Sequence, residues 1–170
     1  METGQLRIGI GWDSHPLVSE RKLVLGGVDV RHDKGLSGWS DADAAVHAII
    51  DALCGAADLG DIGTLFPPQD PEYKGISSLV LLGRTGEVLK AEGCRVVNID
   101  VTIIAESPKL SPFVPEMRKS ISQALGIDST QVTVKATTTN GLGFIGRGEG
   151  MAAQAVALVR KKGTARRSKD

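Results

Sequence analysis

Apolar and small residues alternate from Leu6 to Trp12 (LRIGIGW), the two-residue period of a strand. A second apolar stretch, Leu23 to Val30, contains the Gly26–Gly27 pair, and the two stretches are expected to form a hairpin or neighbouring strands. Residues 34–40, loosened by Gly35 and Gly38, read as a loop. The period then lengthens. DADAAVHAIIDALCGAAD (41–58) spaces its apolar residues three and four apart and predicts a helix capped by Ser40 or Asp41. Gly60 and Gly63 end it in a loop running through Phe66-Pro67-Pro68. A helix over 76–92 follows, weakened at Gly86 and stopped by Gly93. Residues 95–106 (RVVNIDVTIIAE), long and β-branched, carry the strongest strand pattern in the chain. Pro108, Pro112 and Pro115 mark a loop into a helix over 115–125, closed by Gly126. Strands over 131–138 and 151–160 flank a Gly-rich loop, Gly141 to Gly150.

No repeat or linker interrupts this series, and its connections are partly hairpin-like and partly crossed by helices. That mixture predicts an α+β fold, with a mixed β-sheet and helices on one face. One domain over residues 1–160 and a basic, disordered tail over 161–170 are expected. At 170 residues the chain is long enough to bury a full core. Twenty basic residues balance twenty acidic ones, so no global field draws it to nucleic acid or to a membrane. No apolar run approaches the ~18 residues that span a bilayer, and Met1 to Arg7 lack the apolar core of a signal peptide. Cys54 and Cys94 have no metal-type spacing and read as buried, reduced thiols, which fits the cytoplasm.

Three histidines are available. His15 and Asp13 lie two apart at the end of the first strand, so an extended chain points both side chains the same way. With His47 from the first helix they make a three-ligand set that leaves one tetrahedral position open, the arrangement of a catalytic zinc. Spacing alone equally allows a turn-forming aspartate and a partly buried helix histidine. His32 reads as an exposed loop residue. The run Lys135-Ala136-Thr137-Thr138-Thr139, followed by five glycines and Arg147, offers hydroxyls and backbone N–H groups suited to phosphate. It equally suits a β-branched strand with tight turns.

Four ordered blocks change the picture: RIGIGWDSH (7–15), SDADAAVHAIIDALCGAADLGDIGTLFP (40–67), NIDVTIIAESPKL (98–110) and VKATTTNGLGFIGRGEG (134–150). Together they resemble the 2-C-methyl-D-erythritol 2,4-cyclodiphosphate synthase family over residues 6–160. The resemblance implies a homotrimer with active sites between subunits, zinc on Asp13, His15 and His47, and Mg²⁺ or Mn²⁺ as a second ion. The implied substrate is 4-diphosphocytidyl-2-C-methyl-D-erythritol 2-phosphate, converted to the cyclic diphosphate and CMP. By the same carry-over Ala105 to Leu110, with Pro108 and Lys109, form a cytosine pocket. Asp61 and Gly63 meet the methylerythritol part, Phe66 lines the same pocket, and Thr137 and Thr138 hold the diphosphate. Thr138 is the expected donor as charge moves to the leaving group, and Ser40, Thr139 and Phe144 complete the substrate side. Arg147 and Glu149, with Trp12, are implied to lie near a cavity on the threefold axis that can hold an isoprenoid diphosphate.

Two positions depart from the family. Trp39 stands where the family usually has a histidine thought to stabilise the transition state, so any charged donation there is lost. Asn140 stands where a glutamate often binds the second metal, and an amide ligates with no charge. These departures admit two other readings: a non-catalytic relative that binds isoprenoid diphosphates, and a zinc phosphoesterase.

Overall fold

The structure is a computed structural model and describes residues 4–68 and 70–163. The first strand, β1 (Gly4–Ser19), is far longer than its alternating stretch and carries Asp13 and His15 within it. It pairs antiparallel with β7 (Gly150–Lys162) from Gly4↔Lys162 to Pro16↔Gly150. Leu23 to Val30 is not one strand beside β1. It folds into a hairpin of its own, β2 (Leu23–Leu25) and β3 (Val28–Val30). Gly26 and Gly27 turn it at φ +59° and +75°, a region where a side chain is strained. The expected loop over 34–40 opens with a short edge strand, β4 (Lys34–Leu36), paired with β1.

Helix α1 (Ala44–Ala57) starts later than the pattern predicts. Its N-cap is Asp43, whose carboxylate accepts the Val46 N–H, not Ser40 or Asp41. A single turn, α2 (Ile62–Leu65), interrupts the loop before Phe66. Helix α3 (Ser78–Ala91), strand β5 (Cys94–Ile104), helix α4 (Val114–Leu125) and strand β6 (Val132–Thr137) follow, within three residues of their expected bounds. Another single turn, α5 (Gly143–Gly146), lies in the Gly-rich loop before β7. Because β7 runs to Lys162, its end passes the expected domain boundary at 160, and residues 164–170 of the basic tail lie outside the described residues.

The main sheet has the order β4-β1-β7-β5-β6, parallel only between β5 and β6. It is therefore mixed, as expected. Helix α1 lies across β1, β7 and β5, and α3 packs over α1 and α4. Trapped between sheet and helix, α1 is buried on nearly every side, so its pattern is almost continuously apolar. Ile99, Val101, Ile103, Ala153, Ala155 and Ala157 close the core from the sheet. The opposite face carries no helix, and Leu6, Ile8, Ile10, Trp12 and Val156 are exposed along it. Among the described residues no helix is long and apolar enough to cross a membrane. Cys54 and Cys94 are buried and unbridged.

Candidate metal centre and the cavity beside it

Close contact between α1 and β1 brings the metal-type side chains together. Gly9 and Gly11 have no Cβ, and the backbone of α1 at Ala52 and Ala48 occupies the space one would need. His47, next to Ala48, is thereby set against Asp13, two residues beyond Gly11. Asp13 Oδ2 lies 2.8 Å from His15 Nε2 and 3.0 Å from His47 Nδ1, and the two nitrogens are 3.2 Å apart. A tetrahedral zinc with bonds of about 2.0–2.1 Å spaces its donor atoms about 3.3 Å apart, so one ion fits between these three. The side chains are 24%, 18% and 12% exposed for Asp13, His15 and His47, so the group is largely but not fully withdrawn from solvent. Among the described residues it is the one cluster of three His, Cys, Asp or Glu side chains close enough to share an ion.

The remaining ring nitrogens are occupied. His15 Nδ1 donates to the Ser37 carbonyl at 2.9 Å, which leaves Nε2 as its inward atom. His47 Nε2 lies 2.9 Å from Ser78 Oγ and 3.1 Å from Ser40 Oγ. Burial raises the pKa of Asp13, but the two imidazoles of His15 and His47 held against its Oδ2 outweigh it and keep the carboxyl well below its usual range. Burial opposes charge on His15, yet the bond to Asp13 wins and its pKa is raised. Both shifts come from the same contact, one carboxylate against the imidazoles.

A cavity of about 180 Å³ adjoins the cluster, lined by His15, His47, Trp39, Ser40, Gly63 and Phe66 among others. Four sequence-predicted positions, Trp39, Ser40, Gly63 and Phe66, therefore share it with two metal-type ligands. Trp39 faces this space, but its Nε1–H is engaged, donating to the Asp70 carbonyl at 3.0 Å. Asp61 caps α2 and is bonded through its carboxylate to Thr64. A larger hollow of about 610 Å³ lies at the far end, where β5 begins and β7 finishes, remote from these groups.

The other expected positions form a second group. Thr137 closes β6 beside Ala105, whose N–H donates to the Thr137 carbonyl at 3.0 Å. Ser14, Ala152, Ile104 and Thr137 lie in one row across β1, β7, β5 and β6. Three strand spacings separate Ser14 from Thr137, about 14 Å. Residues in one row share a face, so Thr137 points with Ser14 to the helix-free side, whereas Asp13 and His15 point to α1. Thr138, Asn140, Phe144 and Arg147 are exposed, and Leu110 is buried. Asn140 has φ +54°, in the left-handed region that Asn tolerates better than Glu. Arg147 makes a two-pronged ion pair with Glu149, at 2.7 and 3.0 Å. The single chain does not bring this group to the metal-type cluster.

Some roles at and around the site escaped the sequence reading, including that of Glu106 within the segment assigned to the cytosine. Glu106 gathers the Thr139 N–H at 2.7 Å, the Thr139 hydroxyl at 2.8 Å and the Gly141 N–H at 3.3 Å, and so shapes the threonine loop. Asp51 accepts the Ile62 N–H at 2.7 Å, and burial foremost raises its pKa. Its position four residues after His47 on one helix was a usable signal. Ser37 and Ser78 had none, because their role depends on which atoms the fold places nearby.

Comparison with known proteins shows the family to which the chain belongs. The YgbB family model matches residues 6–160. A 2-C-methyl-D-erythritol 2,4-cyclodiphosphate synthase of Pelotomaculum thermopropionicum is 58% identical over 94% of this chain and 99% of its own length. A synthase of that name from Clostridium acetobutylicum is 54% identical over 91% of this chain and 99% of its own. Among solved structures, the bifunctional IspDF of Campylobacter jejuni superposes with a TM-score of 0.90 at 39% identity, covering 94% of this chain and 43% of that longer one. The CDP complex of Plasmodium falciparum IspF gives 0.81 at 32% identity, over 95% and 99% of the two chains. Matched along nearly all its length by the family model and by relatives of more than half identical sequence, the chain belongs to the YgbB family.

Proposed function

We propose that the chain is a 2-C-methyl-D-erythritol 2,4-cyclodiphosphate synthase, an enzyme of isoprenoid precursor synthesis. The observation that carries this reading is the convergence of Asp13, His15 and His47 beside the cavity lined by Trp39, Ser40, Gly63 and Phe66. The substrate's 2-phosphate attacks the β-phosphorus of the same molecule, the bond to the α-phosphate oxygen breaks, and CMP leaves with that oxygen. A phosphate monoester is already largely dianionic near neutral pH, so no strong general base is needed. The task is to fold the substrate for in-line attack and to relieve repulsion between two anions.

Asp13, His15 and His47 hold zinc in this reading, and a bound zinc supplies charge neutralisation and orientation at the β-phosphate. Backbone N–H groups of Trp39 and Ser40 donate to phosphate from the loop beside His47. Asp61 and Gly63 meet the methylerythritol part. Thr137, Thr138 and Thr139 hold the diphosphate, with Thr138 donating as charge moves to the departing CMP. Ala105 to Leu110 receive the cytosine. Asn140 is a neutral ligand for a second ion, Mg²⁺ or Mn²⁺, so most negative charge around that ion comes from the substrate.

Assembly as a homotrimer is part of the proposal. Two observations support it: the exposed apolar row from Leu6 to Trp12, and the placement of the threonine group about 14 Å away on the opposite sheet face. A neighbouring chain is needed to bring one group to the other. Trp12 and the Arg147–Glu149 pair then border an axial cavity for an isoprenoid diphosphate. The cytoplasmic setting follows from the family and is consistent with the two unbridged cysteines.

The test is formation of CMP and cyclic diphosphate by purified protein with zinc plus magnesium, repeated with chelator. Metal-dependent appearance of both products is expected. CMP binding with no turnover points to a non-catalytic relative, and linear monophosphates point to a phosphoesterase.

A further inference from the structure

We infer that Ser78 and Asp41 are positioning residues for His47: they hold its ring proton on Nε2 and so keep Nδ1 bare toward the metal site. This inference rests on the metal-centre reading above, and a proton inventory carries it. Asp41 Oδ2 accepts the backbone N–H of Ser78 at 2.9 Å, and Asp41 Oδ1 accepts the Ser78 hydroxyl through a short contact. A serine hydroxyl has one proton. With that proton given to the carboxylate, Ser78 Oγ offers only lone pairs to His47 Nε2, 2.9 Å away. The imidazole must therefore donate from Nε2. Ser40 Oγ, 3.1 Å from the same nitrogen, receives the Ala42 N–H at 3.3 Å and is also placed to accept. In a neutral ring carrying its proton on Nε2, the lone pair sits on Nδ1, the atom 3.0 Å from Asp13 Oδ2.

The brace is rigid. Ser78 is fully buried at the start of α3, and the Asp41 N–H is tied to the Ile76 carbonyl at 3.1 Å. His15 has no comparable chain, because its outer nitrogen donates to a backbone carbonyl, which cannot reverse polarity. His47 is thus the ligand whose proton position depends on side chains that can be changed.

The experiment measures the zinc dissociation constant of the parent, S78A and D41N by competition with a chromophoric chelator near neutral pH. Melting temperature of the metal-free proteins is the separate readout. In D41N the amide oxygen takes only one of the two Ser78 donors, so the hydroxyl proton turns toward His47 and displaces the ring proton to Nδ1. Both variants are expected to bind zinc about 10–100-fold more weakly, with D41N close to the parent in metal-free melting temperature. Should S78A not fold, D41N decides alone. A dissociation constant for D41N within about twofold of the parent overturns the inference, since a packing role moves only the metal-free stability. A parent that binds no zinc overturns the metal-centre reading itself, a distinct result.

Discussion

Gly11 lies so close to α1 that a Cβ at this position would stand 2.0 Å from the carbonyl oxygen of Ala48. The obstacle is backbone, which cannot swing aside as a side chain does. Gly11→Ala is therefore expected to push α1 off β1 and destabilise the metal-free fold by about 3 kcal/mol, the upper end for overpacking. Zinc binding should weaken with it, because Asp13 and His47 sit on the two elements forced apart. Urea unfolding with chelator present checks the first effect and zinc titration the second.

Proton competition at His15 sets a pH dependence. Its pKa is raised above 6.5 by Asp13, and it must lose that proton to ligate zinc. Zinc affinity should fall as pH drops through the raised pKa. The metal-free protein responds in the opposite sense. The Asp13–His15 pairing contributes stability that is fully present below the unfolded pKa of 6.5 and lost as pH rises through the folded one. Melting curves across neutral pH should decline with pH in chelator and rise with pH in zinc. Parallel curves would sink the idea.

Asp43 gives a second, independent titration. Burial first, then the nearby Asp41, pushes its carboxyl up to about 6 against the pull of N–H groups from Gly26, Gly27 and Val46. Between the unfolded value of 3.8 and the folded one, the native protein holds more protons than the unfolded chain, so stability falls as pH rises. The shift of about two units corresponds to ~3 kcal/mol. The stability difference between the parent and D43N should therefore shrink by about that amount from pH 4 to pH 7. Urea unfolding of both proteins over this range measures it, and a flat difference would contradict the assignment.

Ile8 is 71% exposed in the middle of the helix-free sheet face, with Leu6, Ile10 and Trp12 in the same row. A charge there is expected to leave the monomer folded and prevent assembly. Ile8→Asp should run as a monomer by light scattering and lose turnover, although every metal-type ligand is intact. A trimer of unchanged activity would remove this face from the interface.

Trp39 spends its N–H on the Asp70 carbonyl, so that group is not free to meet the substrate. Trp39→Phe keeps the ring and deletes the bond. We expect kcat to change little and KM to rise about fivefold, the ~1 kcal/mol of a typical hydrogen bond. A large loss in kcat would instead give the indole N–H a part in the chemical step.

Periodicity was enough for the helices α1, α3 and α4, for β5 and β7, and for the α+β class, because the spacing of apolar residues along a segment marks its type whichever neighbours bury it. The Asp13-x-His15 pair was legible for the same reason, since a two-residue spacing on a strand fixes which way side chains point. The length of β1, the hairpin at Gly26–Gly27 and the edge strand at Lys34–Leu36 were not legible. β1 and the edge strand bond to partners far along the chain, and the hairpin turn is held by the Asp43 carboxylate, which accepts the Gly26 and Gly27 N–H groups, so only the closed fold shows which backbone groups need them. The helix cap went to Asp43 instead of Asp41 because Asp41 is taken by Ser78, a contact across 37 residues. The tie of His47 to Ser78 is of the same kind. Separation of the threonine group from the metal-type cluster is likewise a matter of sheet register, which assigns each row to a face and leaves Thr137 on the side that α1 does not cover.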